Sequence, residues 1–453
     1  IRHLVIGYNW KRDESVLPSM LDLSHVRSLT VFGEWRPFFI SDNMRFLRVL
    51  DLEDTSGLRD HHLDQIGQLR HLKYLSLRGC HNILCLPSSL CNLRNLETLD
   101  VRGTRIYELP TTITNLQKLQ HLRADGYQNS DNVKGEDDIV NKYEGYTDRF
   151  SACQTCHLFL RPHMLDAGLN RHDIFNICRF KKVDVGGVVL PRGIDKLKAL
   201  HALGVVDVSH RNGKATLKEL GKLSQLRKLK VAGMRYRNNT ELWSAIAGHN
   251  QLLSLSVEAE EEGCQLDGCF SEGLVPPSSL ESLTLVGHLV SATEWTHKLQ
   301  NLSKLVLESS RLDRDDNIQT IGFLPKLAVL RLKYNSFIGT QLCFERSYFP
   351  SLMVLEFDGL NSLEWMLFEE GVMPKLELLQ VGGCSKLNAF SGLPGLTSLK
   401  EIQLARHGVP ENVTKQVQKQ VAEVRGCSGR HGLPFLCWKY ALEAIIKALL
   451  LYF

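Results

Sequence analysis

The chain has 453 residues, of which 43% are hydrophobic and 23% are charged, a composition typical of soluble globular proteins. Its formal net charge is only +4, too small for the strong basic field of a nucleic-acid-binding protein, so nucleic acid is not expected as a partner. No apolar run reaches the roughly 18 residues of a membrane-spanning helix, and no signal peptide is visible. Neither a membrane span nor secretion is predicted.

The first predicted strand starts at the first residue, where Ile1, Leu4 and Ile6 are spaced as L-x-x-L-x-L. The last two apolar residues of this frame lie two apart on a short strand, so both point to the interior and their neighbours face solvent. Since Ile1 is not methionine and no polar cap precedes this strand, we expect a fragment of a longer protein. We also expect residues 1–453 alone to associate through the uncovered first coil, and restoring the preceding domain to give a monomer.

The same frame returns every 21 to 28 residues, with one interruption. Its second apolar residue is Leu4, Leu29, Leu50, Leu75, Leu99, Leu122, Leu203, Leu229, Leu255, Leu283, Leu305, Leu330, Leu355, Leu379 and Ile402. One coil cannot bury its leucines alone, but stacked coils can, at about 1.5–3 kcal/mol for each leucine. The predicted fold is therefore an α/β leucine-rich repeat solenoid, a horseshoe with a parallel concave sheet of about 15 strands and one long insertion.

The cysteines indicate buried thiols rather than disulfides. Two of the twelve, Cys80 and Cys384, follow a leucine frame and fill the small buried position of L-x-x-L-x-L-x-x-[NCT], which Thr104 fills in another repeat. A buried thiol acts there as a small hydrophobic group with a weak donor. This use of cysteine favours a reducing, cytoplasmic compartment.

The array is interrupted between Leu122 and Leu190 by a polar stretch too long for an ordinary connection. We divide the chain into N-terminal repeats (1–126), a partly disordered insertion (127–189), C-terminal repeats (190–410), a capping helix (411–426) and an atypical apolar tail (427–453). Such insertions emerge on one face of a solenoid and often serve recognition.

Within the insertion, Cys153-x-x-Cys156-His157 has the spacing of a zinc half-site or a covalent haem tether. The other candidate ligands, His163, His172 and Cys178, are scattered, whereas a second zinc half-site normally repeats the tight spacing. We therefore favour structural thiols and predict no metal-binding residue.

Catalytic motifs are incomplete or missing. The nearest approach to a phosphate-binding loop is Gly213-Lys214, but Val208 stands where that loop needs glycine and Ala215 where it needs a hydroxyl. There is no G-x-S-x-G or H-E-x-x-H sequence. We predict no catalytic or cofactor-binding residue and do not expect an enzyme.

Several of these frames together resemble one protein family. The resemblance is strengthened by three copies of L-P-x-x-[IL]-x-x-L-x-x-L along the chain. The stretches are 23–29, 47–53, 72–78, 86–90, 96–109, 143–147, 190–194 and 200–206. From Ile1 to about Val424, the chain is similar to the leucine-rich repeat region of plant intracellular immune receptors. More narrowly, it resembles the cereal coiled-coil, nucleotide-binding, leucine-rich-repeat (NLR) class of disease resistance proteins.

This resemblance implies a cytoplasmic module that senses a pathogen effector, directly or through a guarded host protein. It also implies an intramolecular partner, the nucleotide-binding domain, which the repeats hold inactive. In that family ADP or ATP binds in the preceding domain, so no cofactor is expected in this chain. A leucine-rich repeat scaffold or an F-box-type substrate adaptor is the alternative, and the sequence preceding Ile1 would discriminate between them.

Residues beside the strand leucines are the candidates for partner binding. They are Arg78, Arg102, Arg331, Lys333, Tyr334, Glu356, Asp358, Trp365 and Phe368, with Asp100 and Lys230 on the same face. Arg331 and Glu356 should lie about 5 Å apart on neighbouring strands, and the three aromatic residues should add apolar contacts at one rim. The alternative is a set of cross-strand ion pairs that only keeps a solvated sheet soluble.

Overall fold

The computed structural model describes residues 2–8, 22–41, 43–125, 186–260, 264–266, 276–290, 298–405, 408–427 and 435–438. In this part of the chain, sixteen parallel strands form one sheet in sequence order. They are β1 (His3–Ile6), β2 (Ser28–Val31), β3 (Val49–Asp51), β4 (Tyr74–Ser76), β5 (Thr98–Asp100), β6 (His121–Arg123), β7 (Ala202–Asp207), β8 (Lys228–Met234), β9 (Ser254–Ala259), β10 (Ser282–Val286), β11 (Lys304–Glu308), β12 (Val329–Lys333), β14 (Val354–Asp358), β16 (Leu378–Gly382), β18 (Glu401–Leu404) and β19 (Phe435–Trp438).

The leucine frames set the register of this sheet. The second apolar residue of each frame pairs with its counterpart in the next, from Leu4 with Leu29 to Leu379 with Ile402. From Leu29 to Ile402 these residues are at most 3% exposed, because each coil covers the leucines of its neighbour. The predicted leucine-rich repeat solenoid is confirmed. The sixteenth strand, β19, lies in the tail and continues the register, with Leu436 opposite Ile402.

The solenoid is continuous across the interruption. Strands β6 and β7 pair directly, with Leu122 opposite Leu203. Residues 126–185, where most of the predicted insertion and its Cys153, Cys156 and His157 fall, lie outside the described residues. Val188 and Val189, at the end of the predicted insertion, already belong to the array, because they bridge to Val206 and Glu108 respectively.

The segments that return from one strand to the next contain short helices and a second sheet. Among the described residues, the α-helices are α1 (Leu63–Ile66), α2 (Gly213–Leu220), α3 (Asn239–Ile246), α4 (Asp315–Ile321) and α5 (Glu411–Cys427). The 3-10 helices are Leu23–His25, Pro37–Phe39, Asp60–His62, Ser88–Asn92, Thr111–Asn115, Ile194–Lys196, Tyr236–Asn238 and Leu393–Gly395. The second sheet is parallel and has three strands, β13 (Gln341–Phe344), β15 (Trp365–Phe368) and β17 (Ala389–Ser391).

The small position after the frame is buried where the sequence places Cys80, Thr104 and Cys384. The thiol of Cys80 lies 3.0 Å from the carbonyl oxygen of Leu52, and the Thr104 hydroxyl donates to the carbonyl of Val101 at 2.7 Å. Burial raises the pKa of the Cys80 thiol, and likewise that of Cys384, to about 12. Both thiols are therefore neutral donors inside the coil, without the thiolate character that reactive cysteines need.

Helix α5 caps the second sheet with two glutamine side chains. Gln416 Oε1 accepts from the backbone N–H of Phe390 at 2.9 Å, and Gln420 Oε1 accepts from that of Leu393 at 3.2 Å. Their amide nitrogens donate to the carbonyls of Asn388 and Phe390, at 2.8 and 2.7 Å. The glutamines thus satisfy backbone groups beside β17 that another strand would otherwise bind, and so cover a sheet edge that would be open to association.

Candidate partner-binding surface

The concave face of the main sheet presents the residues that alternate with the buried leucines. On β12 and β14 the register places Arg331 opposite Glu356 and Lys333 opposite Asp358. Arg331 and Lys333 are on the same face of β12, and Glu356 and Asp358 on the same face of β14, because side chains two apart on a strand share a face. The frame therefore predicted these neighbours correctly, and the four residues form one charged group, the C-terminal concave patch.

Glu356 is the centre of this patch. Its side chain is only 5% exposed, with Arg331 Nε 3.0 Å from Oε2 and Lys333 Nζ 3.4 Å from Oε1. A carboxylate so sheltered from water needs compensating charge, and two cations provide it. Arg331 and Lys333 remain 37% and 24% exposed, so a partner can reach them while Glu356 holds them in place.

Tyr334 follows β12 and is 54% exposed beside this patch. Its backbone has a φ of 44°, in the left-handed region that Gly359 and Gly383 adopt in later repeats. A bulky residue in this conformation costs about 1–3 kcal/mol. Strain of this kind at an exposed aromatic residue makes Tyr334 a candidate contact.

Trp365 and Phe368 do not join the patch, which corrects the expected apolar rim. Both lie on β15, in the three-stranded sheet rather than the concave one. Phe368 is 2% exposed and stacks on Phe344 with ring centroids 5.0 Å apart, so it belongs to the core. Trp365 is half-buried. Sequence alternation cannot reveal this, because a returning segment that forms a strand shows the same pattern as a concave strand.

Arg78 and Arg102 form a separate N-terminal group on the concave side. Arg78 Nη1 lies 2.8 Å from Glu53 Oε1, and Arg102 donates to both carboxylate oxygens of the buried Asp100. These hydrogen bonds to Asp100 are the main cause that raises the pKa of Arg102. Seven strand steps from β5 to β12 correspond to about 34 Å along the sheet. One small epitope therefore cannot include both groups.

The centre of the concave sheet carries residues that the sequence analysis largely missed. Lys228 and Lys230 on β8 are exposed, and Ser254, Ser256, Ser282 and Thr284 are half-buried on β9 and β10. Of these, only Lys230 had been placed on the concave face. The sequence signal that could have predicted them is the pair of frames L-x-S-L-S-V and L-x-S-L-T-L, in which the positions that alternate with the buried strand residues are serine or threonine.

No metal centre is found in the described part of the chain, which contains no cluster of three or more His, Cys, Asp or Glu side chains able to hold an ion. A cavity of about 290 Å³ lies near the interruption and is lined in part by Glu108, His210 and Glu219. Glu219 Oε2 accepts there from the backbone N–H groups of Gly193 and Ile194, at 2.8 and 3.1 Å. This carboxylate therefore fixes the chain where the array resumes.

Among the described residues, none of the helices combines the length and apolar character needed to cross a membrane.

Comparisons with known proteins agree with this geometry. A family model described as "Leucine-rich repeat region" matches residues 25–135 and 173–431. The chain is 26% identical to disease resistance protein Pik-2 of Oryza sativa subsp. japonica, over 87% of the chain and 38% of the relative. It is 27% identical to disease resistance protein RGA4 of the same organism, over 82% of the chain and 32% of the relative. The chain thus spans about a third of the length of these relatives.

A solved leucine-rich repeat protein of Leptospira interrogans is also similar, with a TM-score of 0.49 and 18% identity over 88% of this chain and 89% of that one. The curated relatives confirm the resemblance to plant disease resistance proteins that the leucine frames indicated.

Proposed function

Because this chain belongs to the leucine-rich repeat region family, we propose that it is the recognition module of a plant intracellular immune receptor. In this proposal it senses a pathogen effector, directly or through a guarded host protein, and triggers the defence response. The proposal rests on curated relatives that are disease resistance proteins, matched over more than four-fifths of the chain. The module binds and does not catalyse, and it works in the cytoplasm.

The observation that carries the proposal is the C-terminal concave patch with Tyr334 beside it. Arg331 and Lys333 are held by the sheltered Glu356 yet stay accessible, and Tyr334 is a strained, exposed aromatic residue. Pre-positioned cations and a rigid aromatic side chain are typical of residues that dominate protein interfaces. Asp358, opposite Lys333, gives the patch an acidic border.

The module also has a proposed autoregulatory role. In the resting receptor it binds the neighbouring nucleotide-binding domain, where ADP or ATP is held, and keeps it inactive. Binding of the effector or guarded protein then shifts the population toward the active state, which requires different affinities for the two states.

The test is genetic complementation with the full-length gene. In a plant line lacking the gene, wild-type protein should restore resistance to a pathogen race that the parent line resists. Lys333→Glu combined with Tyr334→Ala should fail to restore it, because the half-buried cation and the exposed aromatic ring of the patch are both changed while the buried Glu356 is kept. The matched control is Lys386→Glu combined with Tyr236→Ala, two exposed residues outside the patch.

The outcomes separate the module's function from its site. If loss of the gene leaves resistance to every tested race unchanged, the immune-receptor proposal fails. If the patch variant restores resistance as well as the control, with equal protein levels, the receptor stands and the C-terminal concave patch is not its contact surface.

A further inference from the structure

Three lysines on the concave sheet differ from the other cations of that face. The paired cations are Arg78 with Glu53, Arg102 and Arg123 with Asp100, and Arg331 and Lys333 with Glu356. Lys228, Lys230 and Lys304 have no ion-pair partner within the described ranges. The middle of the sheet therefore carries three lysines whose ammonium groups make no direct contact with a carboxylate of the described residues, although Lys230 acts on the nearby Glu258.

The neighbouring histidine responds to this charge. The pKa of His121 is lowered, first by burial and then by Arg123, His201 and Lys228. The nearby cations therefore add to the effect of burial in favouring the neutral imidazole of His121.

Between the lysines lies a floor of small hydroxyl residues. The register runs from Lys228 to Ser254, Ser282 and Lys304 on four successive strands. Three strand steps separate the two lysines by about 14 Å. In the next outward row, Lys230 is followed by Ser256 and Thr284. We call these three lysines and four hydroxyl residues the lysine–hydroxyl strip.

The strip has the features of a contact surface for an extended chain. Its serines and threonine are short, so a partner's backbone can come close to the sheet, and each hydroxyl can both donate and accept a hydrogen bond. The lysine side chains at both sides are long enough to contact a peptide segment bound over the serines and the threonine. A partner with carboxylates at both sides would neutralise them.

Acidic residues mark one border of the strip. Glu258 and Glu308 follow in the next outward row, with Val286 between them in register. Burial is the main cause that raises the pKa of both carboxyls, and Glu308 adds to the effect on Glu258. Lys230 opposes the rise at Glu258, and Lys333 opposes it at Glu308. These two side chains disfavour partner carboxylates at this border and confine them to the lysine rows.

We infer that the lysine–hydroxyl strip docks an acidic segment of a partner protein, lying in extended form across β8 to β11 with its carboxylates beside Lys228, Lys230 and Lys304. The inference deepens the proposed function, on which it rests, by naming the chemistry of a partner. It places this contact at the centre of the concave sheet, five strand registers before Glu356 when counted from Lys230.

A binding measurement on the full chain tests it. The probe is a fluorescein-labelled peptide that alternates aspartate and threonine, and the reference peptide alternates asparagine and threonine. Fluorescence anisotropy should show at least about tenfold tighter binding of the aspartate peptide at low salt, falling as ionic strength screens the lysines. Lys228→Glu, Lys230→Glu and Lys304→Glu together should remove that preference, whereas the three Lys→Arg changes should keep it.

The matched control is Lys196→Glu, Lys218→Glu and Lys386→Glu, which changes net charge equally at exposed positions off the concave sheet. It should bind within about twofold of wild type. Equal loss in this control would show nonspecific attraction and overturn the inference, as would equal binding of the two peptides by wild type. Thermal unfolding by circular dichroism verifies that each variant is folded. Peptide binding is independent of the complementation assay, so either proposal can fail alone.

Discussion

Replacing Glu356 with glutamine removes a charge and nearly preserves shape. The side chain is 5% exposed and faces two cations, at 3.0 Å from Arg331 and 3.4 Å from Lys333. Hydrogen bonds to charged groups contribute about 1.5–3 kcal/mol each, and solvent-exposed ion pairs about 0.2–1 kcal/mol. Arg331 Nε is close to the carboxylate but makes no hydrogen bond. Both cations are partly exposed, so we take about 1 kcal/mol for each contact, between these two ranges, and expect the variant to lose about 2 kcal/mol in total.

The matched comparison is Glu53→Gln. Glu53 lies 2.8 Å from Arg78, but the two side chains are 39% and 50% exposed. Solvent screens this pair, so its loss should cost about 0.5 kcal/mol. The distances alone would rank the two sites the other way, because the Glu53 contact is shorter. Burial therefore decides the predicted order.

Urea unfolding followed by circular dichroism measures the difference. With a denaturant slope of about 3 kcal/mol/M, the midpoint should fall by about 0.7 M for Glu356→Gln and about 0.2 M for Glu53→Gln. Equal midpoints would refute the view that burial strengthens the Glu356 contacts. A midpoint above wild type would mean that desolvating the carboxylate costs more than its two cations return.

Three further outcomes are expected. Gln416→Ala with Gln420→Ala removes four backbone contacts of the second sheet and should cost about 2–4 kcal/mol, with increased association in light scattering; unchanged stability and size would contradict the cap. Glu258→Gln with Glu308→Gln should raise the melting temperature at pH 7. Burial raises the folded-state pKa of both carboxyls, so wild-type stability falls as pH rises through those values. The gain should vanish in acid, and a gain that persists at pH 3 would oppose this explanation. Phe368→Ala should lower the free energy of unfolding, measured in urea, by about 3–5 kcal/mol. A loss below 1 kcal/mol would contradict the burial of this ring in the core.

The leucine frame by itself determined the solenoid, because a spacing of two on every strand leaves only one way to bury the leucines, against the next coil. That spacing also fixed which residues alternate outward, so Arg331 and Glu356 could be predicted as neighbours and were found in register. The small buried position of Cys80 and Thr104 followed from the same local geometry.

Only the tertiary structure decided how much each outward residue contributes. The local sequence pattern predicts which face of the strand a side chain is on, but not which side chains of other coils it contacts. It could not show that Asp100 and Glu356 each form ion pairs with two cations. Nor could it show that Lys228 and Lys230 form none with the described carboxylates. Ion pairing depends on which side chains from different coils converge, and coils are separated in sequence by lengths that vary.

The second sheet could not be predicted from the sequence, for the same reason. Trp365 and Phe368 alternate like concave residues, yet they lie on a returning strand whose pairing depends on neighbours more than twenty residues away on either side. Alternation specifies two faces of a strand and leaves open which sheet it joins. Packing between coils made that choice, because the ring of Phe368 could be buried only against Phe344 and Phe390 of adjacent repeats.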